Sequence, residues 1–163
     1  MRLVIERSEL VRALGHVTSV VERRTTIPIL SNVLLRAKDS SLELKATDLE
    51  REVVEAVSAQ VEQPGAITVP AHMLNDIIRK LPEGSEVELV RDAERERLTI
   101  RAGQSRFALQ TIAADDFPDL AGGEMGHTFE IAAADLKTLI EKTRFAISTE
   151  ETRYYLNGIY LHT

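Results

Sequence analysis

The sequence predicts an α+β fold, in which antiparallel β-hairpins carry amphipathic helices, arranged as one complete domain followed by a partial second copy. Three observations lead there. Apolar residues recur at helical spacing in three separated stretches and form strand-like runs almost everywhere else. Turn-forming residues separate consecutive strand-like runs at 38–41, 92–95 and 103–104. The apolar spacing of the first helical stretch returns 126 positions later.

The elements follow in order. Residues 2–6 (RLVIE) are a short β-branched strand. Over residues 8–21, Leu10, Leu14, Val17 and Val21 fall four, three and four apart, one stripe of a helix with Ser8 as its N-cap. Its other face carries Glu9, Arg12, His16 and Ser19. Residues 29–37 and 42–47 flank the turn KDSS and form a hairpin. Residues 51–61 read as one long strand, with Val53, Val57, Ala59 and Val61 on a face that Glu55 interrupts. Residues 66–69 lead into a second helix, 70–82, which Pro82 and Gly84 stop. Its buried stripe is Met73, Leu74, Ile77, Ile78 and Leu81; His72, Asn75, Asp76, Arg79 and Lys80 lie outside. Strands 86–91 and 97–102 flank a charged turn.

The sharpest local prediction is a hairpin over 98–111. Gly103 opens a two-residue loop that suits a type II′ turn. That register sets Ile100 opposite Phe107 and Leu98 opposite Leu109 on one face, with Arg101 and Arg106 sharing the other.

Residues 113–127 (AADDFPDLAGGEMGH) break the pattern and read as an interdomain linker. The first domain is therefore 1–120, the linker proper 121–127, and 128–163 the start of a second domain. A third helix, 134–146, buries Leu136, Leu139 and Ile140 and shows Lys137, Glu141, Lys142 and Arg144 outward. Leu10, Ala13, Leu14, Val17, Val20 and Val21 map onto Leu136, Leu139, Ile140, Thr143, Ala146 and Ile147. After a one-residue slip, NVLL at 32–35 matches NGIY at 157–160. Each unit thus reads strand, helix, polar loop, then a strand opening with Asn. The second copy stops as its second strand begins, too short to close a core, so the chain is expected to be a fragment of a longer protein.

Composition removes several function classes. With no Cys, there is no disulfide scaffold, thiolate nucleophile or Cys-ligated zinc. No apolar run approaches the ~18 residues of a membrane span, and the N-terminus lacks a signal peptide, so a cytoplasmic protein is expected. Twenty basic against 26 acidic residues leave a net charge of −6, the wrong sign for holding DNA by bulk attraction. Asp48, Glu50 and Glu52, or Asp115, Asp116 and Asp119, offer carboxylates for acid–base work. A hydrolase-like enzyme using Asp48 and Glu50 is one alternative reading, and a plain protein-interaction module another. The four histidines show no metal spacing, and Gly122-Gly123 opens no phosphate loop.

A set of short motifs runs through the whole chain: TIPILSN (26–32), ATDLE (46–50), VPA (69–71), LPEG (81–84), SRF (105–107), DFP (116–118) and RYYLNG (153–158). In this order they resemble the N-terminal part of the bacterial DNA polymerase III beta-subunit family, the replication sliding clamps. The resemblance implies a clamp fold, with two helices on the inner face packed against antiparallel β-sheets. It implies three such domains per chain and a head-to-tail homodimer of the full-length chain, closed as a ring around double-stranded DNA. Such a ring is a non-catalytic processivity factor of the DNA polymerase III holoenzyme, needs no cofactor, and meets the polymerase catalytic subunit and the clamp loader through short linear motifs. Held by enclosure, it needs few phosphate contacts and tolerates an acidic exterior.

By the same resemblance, Arg24 and Arg79 match basic DNA-contacting positions, and His72, a weaker and pH-dependent candidate contact, stands where some relatives have arginine. Arg153, Tyr154 and Tyr155 match a DNA-touching loop, in which Glu150 replaces a neutral side chain. Arg106, Phe107 and Leu109 match the dimer interface. Leu156 matches one wall of the pocket for partner motifs.

Overall fold

Alternation in RLVIE puts Leu3 and Ile5 on one side, and both are buried in β1 (Arg2–Glu6) of the computed structural model. That structure describes residues 1–23, 25–92, 94–120 and 128–162, without the side chains of residues 151 and 154. The chain divides into two units, Met1–Ala121 and Gly122–Thr163.

In the first unit, α1 (Arg7–Val17) buries Leu10, Ala13, Leu14 and Val17 and ends in a 3₁₀ turn, Thr18–Val20. Ser8 is not its N-cap. Glu6 holds that position without a side-chain capping bond, and the Ser8 hydroxyl donates to the Glu6 carboxylate at 2.7 Å. The predicted strand 29–37 begins late, because Pro28–Ser31 forms another 3₁₀ turn before β2 (Asn32–Lys38). β2 and β3 (Ser41–Thr47) form the expected hairpin.

The long strand expected over 51–61 is two strands. β4 (Glu52–Ser58) pairs with β3, whereas β5 (Gln60–Gln63) pairs with β1 in the other sheet. The break falls at Ala59, whose N–H donates to the Ser40 carbonyl at 3.0 Å. β6 (Gly65–Pro70), α2 (Ala71–Lys80), β7 (Glu86–Asp92), β8 (Arg97–Ala102) and β9 (Ser105–Gln110) complete the unit. The β8–β9 register is the predicted one, including Ile100 opposite Phe107 and Leu98 opposite Leu109. Gly103 alone of the two loop residues has a positive φ, +55°, the II′ pattern.

Two antiparallel sheets result, ordered β5-β1-β7-β8-β9 and β4-β3-β2-β6. Leu3, Leu89 and Ile100 of the first and Leu35, Leu44 and Val69 of the second join the buried faces of both helices in one core. α1 lies against β4 and β3, and α2 against β2 and β6. The helices are antiparallel neighbours tied at both ends. The Arg7 guanidinium donates to the carbonyls of Ile78 (3.2 Å) and Arg79 (2.7 Å), and His72 Nε2 lies 2.9 Å from the Val21 carbonyl oxygen. This is the two-helix, antiparallel-sheet arrangement that the resemblance implies.

Part of the segment read as linker belongs to this unit. Ile112 forms a bridge with Thr68, and Phe117 is buried. Lys45 Nζ sits 2.8 Å from Asp119 and 3.0 Å from Glu52, whose carboxylate also accepts from the Leu120 N–H at 3.4 Å. Leu34, on the face of β2 opposite the core, lines the same groove as Phe117 and Asp119. Residues 121–127 lie outside the described residues.

In the second unit, α3 (Ala133–Thr143) and the 3₁₀ turn Arg144–Ala146 reproduce the bounds of α1 and its terminal turn, shifted by 126. The strands expected on either side are not formed among the described residues; 128–132 and 157–162 have no strand partner. Leu136 is consequently half-buried, and Leu139 and Ile140, expected in a core, are 48% and 43% exposed. A helix stripe is buried only when another layer covers it.

Candidate nucleic-acid and subunit interfaces

The polar side of the helix pair contains fewer free cations than the sequence suggested. Glu55, which interrupts the apolar face of β4, points its carboxylate to α1. It lies 3.3 Å from His16 Nδ1 and 3.7 Å from Arg12, which also pairs with Glu9 at 2.7 Å. The α1 charges are thereby largely balanced. Arg79 and Lys80 are exposed on the last turn of α2. Arg24 lies outside the described residues; its neighbour Arg23 is exposed. His72 and Asn75, both read as outward-facing, are half-buried. His72 is engaged with Val21, and the buried Asn75 Oδ1 has no hydrogen-bond partner among the described residues.

The tyrosine segment is not a strand. Residues Glu151–Leu156 form a kinked 3₁₀ stretch. Tyr155 is 71% exposed, and the Tyr154 side chain lies outside the described set. Arg153 pairs with Glu150 at 3.1 Å, which cancels much of the charge it would offer a phosphate. Leu156 is exposed, and its carbonyl accepts from the Ser148 N–H at 2.9 Å.

β9 is an edge strand, and its residues divide. Leu109 is only 5% exposed and belongs to the core of its own unit, opposite Leu98. Phe107, nearer the turn, is 38% exposed despite facing Ile100. On the other face, Glu88 is already met by Arg2 (2.6 Å) and Arg101 (3.3 Å). Arg106, opposite Arg101, is exposed and faces no carboxylate among the described residues. A cation and an apolar ring thus stand at an unpaired edge, the chemistry an adjoining strand would use.

Two further apolar residues of this unit are partly uncovered. Met73 is 54% exposed and Ile77 half-buried on α2, which lies against β6, and β6 meets the chain just beyond β9. Five apolar residues in so short a helix make a stripe wider than one neighbouring layer covers, and that excess width was the available signal.

Three of the carboxylates put forward for catalysis, Asp48, Glu52 and Asp119, are occupied. Asp48 Oδ1 accepts from the N–H groups of Glu50 (3.0 Å) and Arg51 (2.7 Å), while Oδ2 receives the Arg51 guanidinium at 2.6 Å. These bonds, led by the one from the Arg51 N–H, hold the Asp48 carboxyl below its ordinary pKa, the opposite of what a general acid needs. Asp119 is likewise drawn below its ordinary value by Lys45. Among the described residues no cluster of three His, Asp or Glu could hold a metal ion.

The family model for the DNA polymerase III beta subunit, N-terminal domain, matches residues 1–121, and that for its central domain matches residues 130–163. The chain belongs to the DNA polymerase III beta-subunit family. A beta sliding clamp of Caulobacter vibrioides is 53% identical over 163 residues, all of this chain and 44% of that protein. The Escherichia coli beta sliding clamp is 43% identical over 164 residues, again all of this chain and 44% of that protein. Among solved structures, a Caulobacter crescentus beta sliding clamp superposes with a TM-score of 0.96 at 53% identity, covering 99% of this chain and 43% of that one. A Bartonella birtlesii sliding clamp solved with griselimycin bound gives 0.94 at 52% identity, covering 99% and 43%. The chain spans less than half the length of the beta-subunit relatives it matches.

Proposed function

We propose that this chain is the leading part of a DNA sliding clamp: a non-catalytic subunit that, at full length, closes head to tail with a second copy around duplex DNA. The ring tethers the replicative DNA polymerase III to its template in the cytoplasm. The observation that carries this reading is the match, in order along the whole chain, to two successive clamp domains. In this reading 1–120 is the first clamp domain, 121–127 the linker and 128–163 the opening of the central domain. The α1–α2 pair faces the DNA, and Arg24, Arg79, Arg153, Tyr154 and Tyr155 meet phosphate or sugar without reading bases. Arg106, Phe107 and Leu109, extended by Met73 and Ile77, meet the partner copy, and Leu156 forms one wall of the pocket for short motifs of the polymerase and the clamp loader.

The acidic net charge of this chain supports enclosure as the means of attachment. Binding by counterion release alone would call for a basic excess, whereas a topological tether needs only enough phosphate contact to keep the ring aligned. Such contacts carry no base register and so allow sliding.

The test uses the full-length ring loaded on nicked circular DNA, followed by cutting of the circle. Rapid loss from the linear product, with retention on the intact circle, is the expected result. Equal release from both overturns the ring mechanism and leaves an interaction module.

A further inference from the structure

We propose that His72 is a positioning residue that anchors the loop following α1, and not a phosphate contact in its own right. The proposal rests on the reading above only where it says what that loop does. The anchor itself stands on geometry. His72 Nε2 lies 2.9 Å from the Val21 carbonyl oxygen. A carbonyl only accepts, so Nε2 carries the hydrogen, and a neutral ring with its hydrogen on Nε2 is sufficient to make the bond.

Val21 is the last buried residue before the loop. Its N–H closes the 3₁₀ turn on the Thr18 carbonyl at 3.2 Å, and its carbonyl is taken by His72, so both backbone polar groups of this residue are satisfied. Immediately beyond it Glu22 and Arg23 are exposed, and the chain re-enters regular structure only at Pro28–Ser31. The bond from α2 to Val21 therefore sets where the basic loop begins. At the opposite end of the helix pair Arg7 performs the same task on the carbonyls of Ile78 and Arg79. Donors at the two ends of the seam hold α1 and α2 in one register, and His72 is the one beside the loop.

Three variants separate positioning from direct contact. His72→Gln keeps a neutral donor at similar reach, His72→Phe keeps a ring without a donor, and His72→Arg adds a permanent charge. In this chain, nitrogen NMR is expected to show the His72 ring protonated at Nε2. Amide exchange at Val21, whose N–H is held by the Thr18 carbonyl, is expected to be about fivefold faster in His72→Phe, the size of one net hydrogen bond, and close to the parent in His72→Gln. In the full-length ring, His72→Phe is expected to weaken DNA binding severalfold with an unchanged salt slope, and His72→Gln to restore it. His72→Arg is expected to steepen the salt slope, since it supplies a charge the parent ring does not.

A ring protonated only at Nδ1, or exchange in His72→Phe equal to the parent, overturns the anchor. A His72→Gln ring that binds DNA as poorly as His72→Phe, with its salt slope reduced by about one, also overturns it and assigns His72 to phosphate. If the exchange results hold while no variant alters DNA binding, the anchor stands and the assignment of this loop to DNA falls.

Discussion

The α1 and α3 helices are the same length, begin and end 126 residues apart in the sequence, and pass into equivalent 3₁₀ turns. Their apolar stripes nevertheless have opposite fates. Leu10, Ala13 and Leu14 are fully buried, whereas their counterparts Leu136, Leu139 and Ile140 remain half-buried or exposed. The difference teaches that a helix of this kind is encoded locally, through spacing and backbone hydrogen bonds, while burial is conferred by layers from elsewhere in the chain. Around α1 those layers are β3, β4 and the α2 neighbour. The described residues around α3 contribute no strand.

The largest expected effect breaks this comparison directly. Leu14→Ala should destabilise the first unit by about 3 kcal/mol, through lost burial and the cavity left behind. Ile140→Ala in this chain should change stability by less than ~0.5 kcal/mol, because the side chain already meets solvent. Urea titrations followed by circular dichroism measure both, and equal costs would show that the second unit has a core of its own.

A second test applies the same distinction within one strand. Leu109→Ala should cost the first unit about 2 kcal/mol, as a core truncation does. Phe107→Ala should cost it less than about 1 kcal/mol, yet weaken closure of the full-length ring, as read by sedimentation at decreasing concentration. A ring that stays equally tight after the Phe107→Ala substitution would remove Phe107 from the interface.

The smallest effect concerns the strap 113–120. Lys45→Met should loosen it slightly, seen as faster amide exchange at Phe117 and Leu120 with the rest of the unit unchanged. The pH dependence has a definite sign. Because Lys45 lowers the Asp119 pKa, this contribution is present above the ordinary Asp value of about 3.9 and fades as pH falls through the lowered one. The bond to Asp119, ahead of that to Glu52, raises the Lys45 pKa, so its share persists below the ordinary Lys value of about 10.4 and is lost as pH climbs through the raised one. Strap exchange that is flat across both limits would exclude the ion pair as the latch.

Much of the fold was legible from local pattern. The β8–β9 register followed from a glycine-led two-residue loop and alternation on either side of it, because a hairpin turn leaves few ways to align its strands. The long strand over 51–61 was misread because alternation continues through Ala59; it does not reveal that the chain there leaves one sheet for the other. The strap was misread because Asp, Pro and Gly signal irregular backbone, and irregular backbone can still be docked by one phenylalanine and one lysine.

The candidate sites show the same division. Motifs along the chain marked Arg79, Phe107 and the tyrosine segment by residue type. The partners that change their meaning lie far off in sequence: Val21 for His72, and Glu55 for Arg12 and His16. Leu109 and Phe107 are two residues apart on one strand and share one predicted face, so nothing in their spacing separates core from edge.

The sequence by itself determined the three helices, the 126-residue offset between the first and third, and the β8–β9 register, because periodicity and turn chemistry act over a few residues. Tertiary structure alone decided which apolar residues are covered, which charges are already neutralised and which histidine is tied to a backbone carbonyl. Those properties depend on groups brought within a few ångströms by folding, and an ion pair or a buried contact exists only once both partners have arrived.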